Sequence, residues 1–224
     1  MNVIVLAARK GGSGKSTLTA HLAAAKPARS CLLIDADPQA SLTLWHKLRG
    51  DEKLTLRSGA RGIGDVVKAA KREGYDWALI DTPPTMSAAV TDAIRAATLV
   101  VIPARPTVFD LNAVAETINL CRELRKPYAV VINGAPARRN DVESPIVTEA
   151  RLGLGRLNVP LWGGQITNRT RFALSLAQGQ GAEEYDSESH AAAEIAALWS
   201  AIEKSVKAIN GAHDGARAMH RAAA

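Results

Sequence analysis

The stretch "VIVLAARKGGSGKST", residues 3–17, decides the fold class because it joins an apolar strand to a glycine turn and a helix start. A phosphate-binding loop has this context, since backbone N–H groups and the amino end of the next helix attract an anion. The pattern G-x-x-x-x-G-K-[ST] is matched at its end by Gly14, Lys15 and Ser16, but Arg9 stands where its first glycine belongs. A turn that merely joins strand to helix leaves the Lys-Ser-Thr ending unexplained.

The residues of the loop have complementary roles in holding a nucleotide. Lys15 places a charge on the β/γ-phosphates, and the Ser16 hydroxyl binds Mg²⁺. The glycines let backbone N–H groups approach an anion closely. The second lysine, Lys10, has no role in the usual pattern, and a loop lysine is ordinarily just solvated. The predicted nucleotide-binding residues of the loop are Lys10, Gly11, Gly12, Ser13, Gly14, Lys15, Ser16 and Thr17.

The composition limits the classes of protein to consider. A chain of 224 residues with 47% hydrophobic residues fits one core, so we predict one domain over residues 1–210 and a flexible tail over 211–224. The start of the chain shows no leader pattern, and we expect a cytoplasmic protein. Cys31 and Cys121 lack metal-ligand spacing. The net charge of +6 fits either a polyanionic partner or solvated helix faces.

Apolar runs alternate with helical patterns along most of the chain. This alternation predicts a single-domain α/β fold with a mainly parallel sheet covered by helices on both faces, and the phosphate-binding loop at its start makes it a P-loop NTPase fold. Ligands then bind at the carboxyl ends of the strands. The predicted strands are 3–8, 31–35, 77–81, 99–103 and 129–133, with a shorter one around 161–166.

Polar side chains end three of these strands. Asp35 and Asp37 are two residues apart and so point the same way, towards a site that binds Mg²⁺ or orients water. An Asx turn explains one of them but is a poor account of both. Asp81, at the end of "WALID", fits the acidic residue that holds Mg²⁺ in P-loop NTPases. Asn133 either hydrogen-bonds the base or forms an ordinary turn with Gly134.

Three motifs together, "KGGSGKST", "DADPQASLTLW" and "LIDTPP", resemble the deviant Walker A ATPases of the ParA and MinD superfamily. The similarity covers roughly residues 1–208 and is greatest to the small ParA proteins that lack an N-terminal DNA-binding extension. It implies that two subunits close around two ATP molecules, with each Lys10 reaching the phosphates held by the other subunit. The second lysine then couples nucleotide state to dimerisation.

The same resemblance implies roles for the remaining site residues. Lys10, Lys15 and Asp37 serve hydrolysis, while Ser16, Asp35 and Asp81 surround Mg²⁺, partly through water. Asn133 contacts the base. The implied cofactors are ATP and Mg²⁺.

The segment "QITNRTRFALSLAQGQG", residues 165–181, resembles the part of the family in which basic residues of the dimer contact DNA. Arg169 and Arg171 are the main candidates, followed by Arg138 and Arg139; surface arginines beside a helix start are the alternative.

The implied function is a bacterial or archaeal ParA-like ATPase, slow alone, that forms an ATP-dependent homodimer on nonspecific DNA. The protein would be nucleoid-associated, and a centromere-binding or cargo adaptor protein would stimulate hydrolysis while plasmid, chromosome or other cargo is positioned. The main alternative is a membrane-cycling ATPase like MinD, which needs a more apolar segment than 211–224. A non-hydrolysing scaffold is disfavoured by Asp37. The two cysteines do not supply the cluster ligands of an electron-transferring relative.

Overall fold

The computed structural model describes residues 1–25, 30–51, 53–60 and 62–222. Within these ranges, seven parallel strands form a sheet in the order β3-β2-β4-β1-β5-β6-β7. The strands are β1 (Asn2–Leu6), β2 (Cys31–Asp35), β3 (Thr55–Ser58), β4 (Trp77–Asp81), β5 (Leu99–Ala104), β6 (Tyr128–Ala135) and β7 (Ile166–Thr167). The prediction of an α/β fold with a parallel sheet is confirmed.

Helices cover both faces of this sheet in the described residues. They are α1 (Lys15–Ala24), α2 (Ser41–Arg49), α3 (Ile63–Arg72), α4 (Ala88–Ala96), α5 (Val108–Glu123), α6 (Pro145–Arg156), α7 (Thr170–Ala177), α8 (Ala182–Tyr185) and α9 (His190–Ala222). The strand prediction is right to the residue for β2 and β4. The expected last strand is reduced to two residues, with Leu161 making only an isolated bridge to Val130.

The core consists of two apolar layers because alternate strand residues point to opposite faces. On one face, Leu6 and Leu33 pack with α1, α2, α7, α8 and α9. On the other face, Val5 and Ile34 pack with α3, α4, α5 and α6. Burying the central strands on both sides explains their continuous apolar sequences.

The two cysteines lie inside these layers, Cys31 in one and Cys121 in the other. Neither Cys31 nor Cys121 forms a disulfide, and both are fully buried. Burial raises the pKa of the Cys121 thiol to about 12, so this group stays protonated and behaves as a small apolar side chain.

Helix α9 is longer than the apolar pattern predicts. Its backbone is helical from His190 to Ala222, without a break between residues 210 and 211, where we placed the boundary between the domain and a tail. The division into residues 1–210 and 211–224 therefore stays a prediction. Along its first turns, α9 packs against α1, and the Trp199 indole N–H donates to the Leu22 carbonyl at 2.6 Å.

His21 connects α1 to α7 and α8 inside the core. Its Nδ1 accepts a hydrogen bond from the Ala182 N–H at 3.1 Å, and its ring lies 4.9 Å from the ring of Phe172. Desolvation by burial lowers the pKa of His21 to about 4 from an ordinary 6.5. The imidazole is therefore neutral in the folded protein over a wide pH range.

We expect His21 to make the protein less stable as the pH falls. The unfolded chain binds a proton near pH 6.5 and the folded chain only near pH 4, so the unfolding free energy decreases between these values, by about 3 kcal/mol in all. His21→Asn keeps an acceptor for Ala182 but does not titrate. Urea unfolding from pH 4 to 7 should show a shallower decline in the variant, and equal declines would contradict this account.

Candidate functional site

The phosphate loop connects the end of β1 to α1 at the carboxyl edge of the sheet. Gly12 and Gly14 have positive φ angles of 73° and 95°, which disfavour other residues. A Cβ at Gly14 would lie 2.1 Å from the Asn133 Nδ2 atom, so the close approach of β6 also requires glycine there. Asn133 Nδ2 donates to the Ser13 carbonyl at 2.6 Å. The amide of Asn133 thus holds the loop in place, a role that the sequence did not predict.

Lys15 points into the protein from the first turn of α1. Only 6% of this residue is exposed, and its Nζ lies 3.5 Å from the Lys10 carbonyl oxygen. Burial lowers the pKa of Lys15, whereas the negative charges of Asp81 and Asp37 raise it. The geometry thus brings Lys15 together with two of the aspartates predicted from the strand ends.

Lys10 is the more exposed of the two loop lysines. Its side chain is 42% exposed, and its Nζ lies 2.7 Å from an Oδ2 oxygen of Asp110, whose side chain is only 4% exposed. Asp110 belongs to the first turn of α5 and also accepts from the Thr107 hydroxyl. Asp110 was not among the predicted site residues, although the spacing Thr107-x-x-Asp110 is a helix-start signature that places it in the first turn of α5.

Asp35 and Asp37 both engage the backbone of their own segment. Asp35 Oδ1 accepts from the Asp37 N–H at 3.2 Å, and Asp37 Oδ1 accepts from the Gln39 N–H at 2.9 Å. Asp35 Oδ2 also accepts from the N–H and hydroxyl of Thr43, at 2.9 and 2.6 Å. The expectation that turn bonds explain only one of these aspartates is therefore wrong.

This bonding separates the roles of the two aspartates. Asp35 Oδ1 accepts from the Asp37 N–H and Oδ2 accepts from Thr43 in the first turn of α2, so both oxygens of this carboxylate already hold neighbouring parts of the chain. Asp37 is partly exposed, and its negative charge lies near enough to raise the pKa of both Lys15 and Asp81.

Asp81 is the buried carboxylate of the site. It is 0% exposed, and neither carboxylate oxygen accepts a hydrogen bond from another described residue. Desolvation raises the pKa of Asp81 to about 7, against an opposing contribution from the nearby Ser16 hydroxyl. A buried carboxylate without partners is costly unless a cation or proton compensates it.

These properties fit a magnesium ion bound together with a nucleotide. Ser16 and Asp81 supply the hard oxygen atoms that Mg²⁺ prefers, directly or through water. In the part of the chain that the structure describes, no group of three or more His, Cys, Asp or Glu side chains forms a metal cage. Phosphate oxygens and water would therefore complete the coordination shell, as is usual for Mg²⁺ in nucleotide sites.

A cavity of about 520 Å³ opens next to the phosphate loop. Gly14 and Thr17 form its border with the loop, and Trp45 of α2 and Phe172 of α7 supply aromatic walls. Asn133 lines this cavity beside the loop, which is where a residue that contacts the nucleotide base would lie. Its Nδ2 atom, however, already donates a hydrogen bond to the Ser13 carbonyl. The cavity has the size, the aromatic walls and the position to hold the base and ribose of a nucleotide whose phosphates lie on the loop.

Comparison with known proteins now identifies the family. The family model described as the CobQ/CobB/MinD/ParA nucleotide binding domain matches residues 4–182. The chain belongs to this family. It is thus a nucleotide-binding domain of the ParA/MinD superfamily, as its motifs predict.

Two curated relatives illustrate the similarity within this family. "Maintenance of carboxysome distribution protein A" of Gloeobacter kilaueensis is 35% identical over 120 residues, covering 52% of this chain and 55% of the relative. "Chromosome-partitioning ATPase Soj" of Thermus thermophilus is 31% identical over 154 residues, covering 54% and 62%. The matches thus span little more than half the length of these ParA/MinD relatives.

A solved structure confirms the ParA/MinD fold. The MinD cell division protein of Aquifex aeolicus superposes with a TM-score of 0.70 at 21% identity, covering 94% of this chain and 98% of that one. Among the described residues, no helix has both the length and the hydropathy needed to cross a membrane.

Three of the four arginines predicted to contact DNA have carboxylate neighbours within this ParA/MinD domain. Arg169 Nη2 lies 2.8 Å from Glu194, Arg138 Nη2 lies 3.5 Å from Glu143, and Arg171 pairs with Asp186. Arg139 is exposed and has no ion-pair partner among the described residues.

These four side chains differ in their availability to a partner. The Arg171 and Arg138 side chains are 52% and 45% exposed, so both keep donors for another anion. The Arg169 side chain is 27% exposed, and its partner Glu194 also accepts from the Thr167 N–H, which gives this pair a structural role.

Proposed function

We propose that this chain is a ParA-like positioning ATPase that closes into a dimer when it binds ATP and Mg²⁺. The observation that carries the proposal is the contrast between its two loop lysines. Lys15 is buried beside Asp81 and can serve the nucleotide of its own subunit, while Lys10 extends to the surface of the same loop and is 42% exposed. Lys10 is therefore available to the phosphates of a second subunit.

The protein's own residues support a hydrolytic site in this dimer. Mg²⁺ would neutralise phosphate charge and be held by Ser16 and Asp81, and Asp37 would orient the attacking water. The Lys10–Asp110 ion pair keeps Lys10 within its own subunit, and the γ-phosphate of a partner's ATP competes with Asp110 for it. ADP lacks that phosphate and does not compete as well, so hydrolysis favours separation of the dimer.

The proposed partners are nonspecific DNA and an adaptor protein that carries cargo and stimulates hydrolysis. The net charge of +6 and the exposed Arg138, Arg139 and Arg171 support a cationic surface that binds a polyanion such as DNA. Each of these guanidinium groups can release a bound water molecule or a neighbouring carboxylate and bind a DNA phosphate instead. Such contacts position a protein on DNA without reading its sequence.

We expect DNA binding to require the triphosphate and to weaken with salt. If a dimer contacts about four phosphates, the logarithm of the affinity falls with the logarithm of salt with a slope of about −3.6. Fluorescence anisotropy with a labelled 40-base-pair duplex, in ATPγS, ADP or no nucleotide, measures both effects. Arg139→Ala should bring the slope nearer to zero by about 1.8, one phosphate for each subunit of the dimer.

Two outcomes would contradict the proposed DNA partner. One is binding that does not depend on salt, because phosphate contacts release counterions. The other is the absence of DNA binding in ATPγS by a protein that still dimerises. Binding to anionic liposomes under the same conditions would then favour the membrane-cycling alternative.

A further inference from the structure

Arg105 follows β5 at the carboxyl edge of the sheet and lies against the phosphate loop. A Cβ added at Gly12 would lie 4.0 Å from the Arg105 Nη2 atom, and one added at Gly134 would lie 3.7 Å from its Nε atom. The guanidinium group therefore lies between the phosphate loop and the glycine turn at the end of β6. No sequence motif identified this residue.

Arg105 is a charged residue of the cavity wall that has no ion-pair partner among the described residues. Among the described residues that line the cavity, Arg105 and Arg169 carry charge, and none is a carboxylate. Arg169 is paired with Glu194. Arg105 is exposed and makes no hydrogen bond or ion pair through its side chain with another described residue. An unpaired guanidinium at the border between a phosphate loop and a base-sized cavity is suited to bind an anion there.

We propose that Arg105 binds the phosphate chain of the nucleotide held by its own subunit. This inference rests on one part of the proposed function, the binding of a nucleotide to the loop, and does not depend on dimerisation or DNA binding. Because Arg105 lies against its own Gly12 and its own cavity, it contributes to the binding of both ADP and ATP and acts before any dimer forms. Lys10, by contrast, pairs with Asp110 and senses the γ-phosphate of the other subunit.

The test compares the binding of two ligands that differ only in their phosphates. Isothermal titration of the full chain with MgADP and with adenosine separates a phosphate contact from a contact to the base. Arg105→Ala should weaken MgADP binding by about 10- to 100-fold, the range for a charged hydrogen bond, and change adenosine binding less than about twofold. Arg105→Lys should recover part of the loss because it keeps the charge but not the two-pronged guanidinium.

Arg156→Ala is the matched control because Arg156 is also exposed but lies on α6, outside the cavity. It should bind both ligands like the wild type. Equal MgADP affinities of Arg105→Ala and the wild type would overturn the inference, as would an equal loss for adenosine and MgADP. A wild-type protein that does not bind MgADP at all would instead overturn the proposed function, so the two failures are distinguishable.

Discussion

Lys10→Ala should abolish ATP-dependent dimerisation while leaving the binding of MgADP within about threefold of the wild type. A symmetric closed dimer uses two copies of Lys10, each in a charged contact with phosphate. Loss of two such contacts should raise the dissociation constant of the dimer by about 100- to 10,000-fold. The nucleotide of each subunit keeps Lys15, which is buried at the start of α1.

Sedimentation velocity in ATPγS measures the dimerisation, and titration with MgADP measures the affinity of the single subunit. Lys204→Ala is a suitable control because Lys204 is an exposed lysine on α9, outside the cavity and the loop. A Lys10→Ala protein that loses MgADP affinity as strongly as it loses dimerisation would show that Lys10 serves its own subunit, contrary to the proposal.

Asp81→Asn should stabilise the nucleotide-free protein and nevertheless remove its magnesium-dependent hydrolysis. The wild-type carboxylate is buried without hydrogen-bond partners, and its pKa is raised to about 7 from 3.8. The unfolded chain ionises at the lower value, so this carboxylate costs stability progressively as the pH rises from about 4 to 7. Asn has the same shape without the charge and removes a cost of about 2–4 kcal/mol at pH 8.

The two effects of Asp81→Asn are measured separately. Urea unfolding in EDTA should show a higher unfolding free energy for the variant at pH 8 and a much smaller difference at pH 4. Steady-state phosphate release with MgATP should fall about 100-fold or more, since a bound metal contributes several kcal/mol to such a reaction. A variant that is less stable than the wild type at pH 8 would mean that Asp81 is not an unpaired charge in the folded protein.

The sequence predicts the central part of this fold well because burial on both faces leaves a strong signal. β2 and β4 are continuous apolar runs that end in aspartate, and their bounds agree with the prediction. β3 was missed because none of its four residues, Thr55–Ser58, is buried, and its apolar content is a single leucine. A strand at the sheet edge can form from such a sequence once a neighbouring strand offers hydrogen bonds.

Local motifs likewise located the phosphate loop and Asp81 but not the residues that approach from a distance. Arg105 and Asp110 come from the β5–α5 segment, about 100 positions from Lys10, and reach the loop only because β5 pairs with β1. Side-chain bonding was also invisible in the sequence. Asp35 and Asp37 look equivalent, yet Asp35 accepts three hydrogen bonds, from the Asp37 N–H and from the N–H and hydroxyl of Thr43, whereas Asp37 accepts one, from the Gln39 N–H.

The central claim is that ATP brings two copies of this chain together, and the mass of the wild-type protein in solution tests it most directly. Light scattering coupled to size exclusion should give about 24 kDa with ADP and about twice that value with ATPγS and Mg²⁺, since one chain has a mass of 23.7 kDa. A single-chain mass in ATPγS, at protein concentrations where the nucleotide is bound, would contradict the account. So would a dimer of equal stability with ADP, because the γ-phosphate would then not control assembly.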